Sequence, residues 1–147
     1  MGRYSLDNTD LKDEFKSIWD STAVPVQFPG LDGLYTGDTT PRIADKNTVD
    51  KWASWTIVHN DAEQEDLSLT PIERRSGTMV VQLFGKVATV NAVQDTLLLL
   101  SDTIATAFSY QTINNFVFES VSITDLGEVG DGWYQITTKI PWFRLHQ

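Results

Sequence analysis

Apolar residues in this chain recur at two periods, and the switch between them marks its elements. Leu11, Phe15, Ile18 and Trp19 step by three and four, the spacing of one helix face, and predict a helix over 8–21. Asn8, Thr9 and Asp10 are candidate N-caps, because a short side-chain oxygen can accept from the unpaired amides of a first turn. Val24, Val26 and Phe28 then alternate at period two. Pro25 and Pro29 lack an amide donor and limit this piece to a short or edge strand. From 30 to 47 periodicity stops, and Gly, Asp, Thr and Pro surround a lone Tyr35. A loop of that length is functional or disordered. It is expected to be mobile in the isolated chain and to order against a partner, with a merely floppy insertion as the alternative.

Period two returns over 51–60, where Ala53, Trp55, Ile57 and His59 form the more apolar face, ahead of an acidic turn at 61–66. A strand over 77–85 sets Met79, Val81 and Leu83 against Val80, Gln82 and Phe84. Apolar residues on both faces suit a central strand. Thr89 is placed to cap a second helix running from Val90 to Phe108 or Tyr110. Its stripe of Val90, Val93, Leu97, Leu100, Ile104 and Phe108 is widened by Leu98 and Leu99, which favours a deeply set core helix over an exposed docking stripe. A strand over 116–126, a glycine-rich turn over 127–132 and a last strand over 132–145 read as an antiparallel hairpin. In the last strand Tyr134, Ile136, Ile140 and Trp142 are the core candidates. The parity slips near Pro141, which predicts a bulge or strand end there, and an edge position or a change of partner.

Hairpins grouped around two helices predict an α+β fold. The expectation is one domain over 1–147, with an antiparallel or mixed sheet of about four to five strands and both main helices on one face.

Composition narrows the function classes. Of 147 residues, 41% are hydrophobic and 21% charged, so a folded core is expected. The net charge of -9 opposes a protein that grips nucleic acid, which needs clustered Lys and Arg, but does not exclude an acidic surface lining a passage for DNA, where repulsion would prevent sticking. With no cysteine there is no disulfide framework, thiolate metal site or thiol nucleophile. No signal-peptide pattern and no membrane-length apolar run is present, so no membrane partner is expected.

Catalytic constellations are not visible. His59 is followed by Asp61, Glu63, Glu65 and Asp66, but no known ligand spacing is matched and solvated charge explains the acids better than a metal. Gly127-Glu128-Val129-Gly130-Asp131-Gly132 precedes a strand, not a helix, and so lacks the helix N-terminus of a phosphate loop. Arg74 and Arg75 are either solvated surface charges or an anchor for a carboxylate from a neighbouring subunit. No catalytic, cofactor-binding or metal residue is assigned. A structural or interaction protein outweighs an enzyme, a small metal-binding domain or a hydrolase.

Several stretches also come in a familiar order. They are the helix with Phe15 and Trp19, Val24-Pro25-Val26-Gln27-Phe28-Pro29, the tryptophan strand Trp52 to Val58, Glu73 to Phe84, the long helix, and Gly130-Asp131-Gly132-Trp133-Tyr134-Gln135. This order resembles the tail terminator proteins of long-tailed phages. The resemblance implies a ring, typically a hexamer, at the head-proximal end of the tail tube. Its partners would be further copies of itself, the major tail tube protein and a head-completion or connector protein, in a virion assembled in the host cytoplasm. DNA would pass through the lumen without sequence-specific contact. A head–tail joining protein of the same fold is the near alternative. On this reading Tyr35, Thr36, Asp38, Arg42 and Asp45 of the long loop, with Arg74 and Arg75, are the expected interface residues.

Overall fold

The structure, a computed structural model of the chain, describes residues 3–30, 33–35, 46–60, 63–64 and 73–146. Its elements are α1 (Arg3–Trp19), β1 (Val26–Gln27), β2 (Lys51–His59), β3 (Glu63–Gln64), β4 (Glu73–Lys86), α2 (Val93–Phe108), β5 (Thr112–Ile113), β6 (Phe116–Phe118), β7 (Ser122–Gly130) and β8 (Trp133–His146). The eight strands form one sheet in the order β1-β2-β4-β8-β6-β5, with β3 beside β4 and β7 beside β8. Among the described residues β1 and β2 run parallel, and every other strand pair is antiparallel. The fold is therefore mixed α+β with two helices, and its sheet is larger than the four to five strands expected. β1, β3 and β5 have two residues each, too few for an alternating pattern to register.

One face of the sheet and both helices share a core. Leu11, Phe15 and Trp19 of α1 and Leu97, Ile104 and Phe108 of α2 bury against Trp55, Met79, Val81, Leu83, Ile136, Ile140 and Trp142. Glycine sets two close approaches. A side chain at Gly85 would stand 2.5 Å from Val93, so its absence lets α2 settle on β4. At Gly77 a Cβ would meet the Val58 carbonyl at 2.4 Å and the Trp142 ring at 2.8 Å. The opposite face carries a second, smaller cluster of Leu34, Trp52 and Trp133 with Val49 and Phe84. Trp52 stacks on Phe84 with ring centroids 4.3 Å apart. These two clusters account for a β4 that is apolar on both sides.

Several boundaries differ from expectation. α1 begins at Arg3, so the candidate caps Asn8, Thr9 and Asp10 lie inside it. It ends through a 3-10 turn, Asp20–Thr22, and Ala23 at φ 58° turns the chain toward β1. Thr89 caps nothing: its hydroxyl donates to the Asp50 carboxylate at 2.8 Å, and α2 starts three residues later than expected, after Ala92, without a side-chain cap. Leu99 is 67% exposed, so α2 is buried along one stripe rather than deeply set all round. The strand expected over 116–126 is two strands, β6 and β7, on different parts of β8.

β8 passes Pro141 without the expected slip. Its register with β4 is unbroken from Lys86↔Trp133 to Glu73↔His146. Arg144, not an apolar residue, continues the parity of Ile140 and Trp142. The expected change of partner does occur there. β7 pairs with β8 up to Lys139, β6 takes over from Trp142, and the Glu119 amide donates to the Pro141 carbonyl at 2.9 Å. A residue with no amide donor thus sits where one neighbour ends and the next begins. The final hairpin closes in two residues, Asp131 at φ 52° and Gly132 at φ 80°. Two consecutive left-handed residues match the twist of the flanking strands, which explains Asp-Gly at this position.

Candidate functional site

Strand parity separates the two expected arginines. Arg75 shares the helix-side parity of Gly77 and Met79 and is buried. Its Nε donates to Asp7 Oδ2 at 2.7 Å and its Nη2 to Asp7 Oδ1 at 3.1 Å, a two-pronged grip that suits the planar guanidinium. Arg144, opposite Arg75 in the ladder, donates to Asp7 Oδ1 at 2.9 Å and to Asp10 Oδ2 at 3.3 Å, and lies 4.4 Å from the Phe116 ring centre. The carboxylate that Arg75 anchors therefore belongs to its own chain, not to a neighbouring subunit. Burial by itself would raise the Asp7 pKa. The hydrogen bonds and charges of Arg75 and Arg144 outweigh burial and hold it below the ordinary 3.8. This cluster fixes the N-terminal half of α1 on the sheet.

Asp7 could have been found in the sequence. It lies four residues before Leu11 and extends the stripe of Leu11, Phe15 and Trp19 by one turn. A carboxylate on an apolar stripe, with arginines on two core-face strand positions, signals a buried pair.

Arg74 points to the other face, its guanidinium 4.3 Å from the centre of the Phe143 ring. Tyr35 is drawn into the core. It bridges β1 through Val26, meets Phe28 edge-on at 5.7 Å, and has the Lys16 ammonium 4.7 Å from its ring centre. Thr36, Asp38, Arg42 and Asp45 lie outside the described residues, as does most of the acidic stretch 61–66. Among the described residues no three His, Asp or Glu side chains converge as a metal site would require. No described helix is long and apolar enough to cross a membrane.

β7 carries half-exposed apolar side chains that the sequence pattern did not single out. β7 pairs with β8 on one side, and Ile123, Leu126 and Val129 are 47%, 49% and 48% exposed. The ladder shifts register twice, between Asp125 and Gly127 and between Glu128 and Gly130, so Leu126 and Val129 are the extra residues. Bulges re-aim side chains, and both of these side chains are aliphatic. Asp125 braces the ribbon. It accepts from the Tyr134 hydroxyl at 2.9 Å, from Gln94 of α2 at 2.7 Å and from the Gly127 amide at 3.0 Å. The Tyr134 bond is the main reason that its pKa is lowered, and the same bond raises that of Tyr134. The signal in the sequence was Leu126 and Val129 three apart, each followed by a glycine, a spacing that no regular strand places on one face.

Among the described residues, clefts near this end of the sheet include two. One, of about 440 Å³, is bounded by Ala23, Val24, Pro25, Val49, Asp50 and Lys51 at the β1 edge. The other, of about 340 Å³, lies over Trp52, Phe84 and Trp133 beside Val129.

No family model matches the chain, and no curated protein matches it. One solved structure superposes with a TM-score of 0.63 over 99% of this chain and 98% of its own, at 10% sequence identity. At that identity the likeness is one of fold.

Proposed function

We propose that this chain is a structural virion protein that caps the head-proximal end of a phage tail tube as a ring. The observation that carries the reading is the β7 ribbon, which among the described residues pairs with β8 alone and holds three half-exposed aliphatic side chains in a braced hairpin. Aliphatic side chains left half exposed along one strand are available for contact with another protein. The two stretches with the strongest resemblance to tail terminators also support it. Glu73 to Phe84 on β4 and Trp133 to Gln135 on β8 lie on adjacent strands, with Phe84 opposite Gln135.

The mechanism needs no covalent step. Copies contact head to tail and close by rotation. The ring, expected as a hexamer, covers the growing surface of the last tube ring, so no further tube protein can add. Its free side then meets the head-completion protein. A subunit of net charge -9 suits a lumen through which DNA passes without sticking.

Electron microscopy of particles assembled without this chain tests the reading. Tails of irregular and excessive length, unattached to heads, are expected. Tails of normal length that fail to join heads would overturn it in favour of a joining protein, and normal virions would remove any structural role.

A further inference from the structure

From Val87 to Thr138 the chain has six acids and no Lys or Arg; its 11 cations all lie outside this stretch. The stretch folds as α2, β5, β6, β7 and the start of β8, and all six acids are exposed. On α2, exposed Leu99 lies between Asp95 and Asp102, four residues before it and three after, which puts the three on one outer helix face. On the ribbon, Ile123, Leu126 and Val129 lie among Asp125, Glu128 and Asp131. The bond from Gln94 to Asp125 joins the two parts. The cations that border them in the sheet are remote or engaged. Lys139 sits opposite Ser122, at the end of β7 away from the turn, and Lys86 donates to the Asn47 carbonyl at 2.9 Å.

This charge pattern selects what can cover the apolar side chains. Two β7 ribbons brought together would set Glu128 and Asp131 against the same acids with no cation to offset them. The rest of a second copy is a poor complement too. It has more acids than bases, Arg75 and Arg144 are committed to Asp7, and Lys12 and Lys16 stand over the Phe28 ring. Nucleic acid and anionic lipid are repelled for the same reason. A cationic protein surface is attracted, and its apolar side chains can then cover Leu126 and Val129. The ribbon is also ordered in advance, because Asp125 ties β7 to α2 and to β8, which lowers the ordering cost of docking.

We propose that the α2–β7 face binds a basic protein segment, one that carries Lys or Arg beside apolar side chains, through Leu99, Leu126 and Val129 with Glu128 and Asp131 as counter-charges. The inference goes beyond the capping reading and does not depend on it, because it is drawn from charge and exposure alone. Three short synthetic peptides of equal length test it against the full chain by amide NMR: one of Lys and Leu, one of Lys and Gly, one of Glu and Leu. The Lys–Leu peptide is expected to shift the amides of 95–102 and 123–131 and to bind at least roughly tenfold tighter than the other two. Glu128→Gln with Asp131→Asn, and separately Leu126→Ala with Val129→Ala, should each weaken it by roughly tenfold. Asp13→Asn with Asp20→Asn removes the same charge from exposed positions elsewhere and should weaken it by less than about twofold. The amide spectrum of each variant shows that it is folded. Equal loss in the Asp13, Asp20 control, equal binding of the Lys–Gly peptide, or shifts centred outside the face would mean general attraction to a chain of net charge -9 and would overturn the proposal. Equal binding of the Glu–Leu peptide, or no loss in either substituted face, would overturn it as well.

Discussion

β6 and β7 follow one another in the chain and pair with the same strand, yet one is core and the other is surface. Phe116 and Phe118 of β6 are sealed, the first 5.4 Å from Trp142 and the second 5.0 Å from Phe108, both edge-on. On β7, Ile123, Leu126 and Val129 stay half exposed. The number of large apolar side chains does not separate the two strands, since each carries three. Cover does. The C-terminal end of α2 brings Phe108 onto β6, whereas α2 holds β7 through a polar bond from Gln94 to Asp125. Hydrophobicity fixes which residues could be buried, and the placement of α2 decides which of them are.

The sharpest way to break this contrast is to truncate each side. Phe118→Ala removes a ring from a closed site and should cost about 3–5 kcal/mol in urea unfolding. Arg75→Ala leaves Asp7 as a buried carboxylate with one partner fewer and should cost a similar amount, about 3–5 kcal/mol. A loss below about 1 kcal/mol in either would mean that the helix-side core is looser than its packing implies.

Acid separates the two sides next. The folded pKa of Asp7 is lowered, so its contribution to stability is present above the unfolded value near 3.8 and is lost as pH falls through the folded value. The wild-type chain should therefore lose stability more steeply below about pH 4 than Asp7→Asn does. Asp125 on the exposed ribbon has a pKa lowered in the same direction, but water and salt screen it. The Asp7 effect should survive about 1 M salt and the Asp125 effect should not. Parallel acid curves for wild type and Asp7→Asn would contradict the buried pairing.

The smallest effect is expected on β7. Leu126→Ala and Val129→Ala should each change unfolding free energy by less than about 0.5 kcal/mol. A larger loss would make the bulged aliphatics part of the fold rather than a contact surface.

Legibility in the sequence followed the same divide. Period-two and helical stripes located α1, α2, β2, β4 and β8, because each has enough residues buried on one face to show its period. The partner change at Pro141 was readable because a missing donor has a fixed consequence in a ladder. The supposed parity slip was not real. Arg144 occupies a core position that looks polar in the sequence, and Asp7 makes that position tolerable. Thr89 resembled a helix cap, but Asp50 competes for its hydroxyl, a contact between residues far apart in sequence. The break between β6 and β7 was hidden because Phe116 to Leu126 keeps a plausible alternation while the cover above it changes. Of the expected interface residues, Arg75 and Tyr35 went to the interior. The parity of Arg75 with Met79 was readable, whereas the bridge that draws Tyr35 to β1 is a tertiary contact that no local pattern shows.

The central claim about the molecule is that β7 serves assembly and not stability. The most direct measurement is electron microscopy of particles assembled with a Leu126→Asp, Val129→Asp chain whose melting temperature has first been compared with wild type. We predict an unchanged melting temperature and tails of irregular, excessive length without heads. Tails of normal length joined to heads, built with that folded variant, would contradict it.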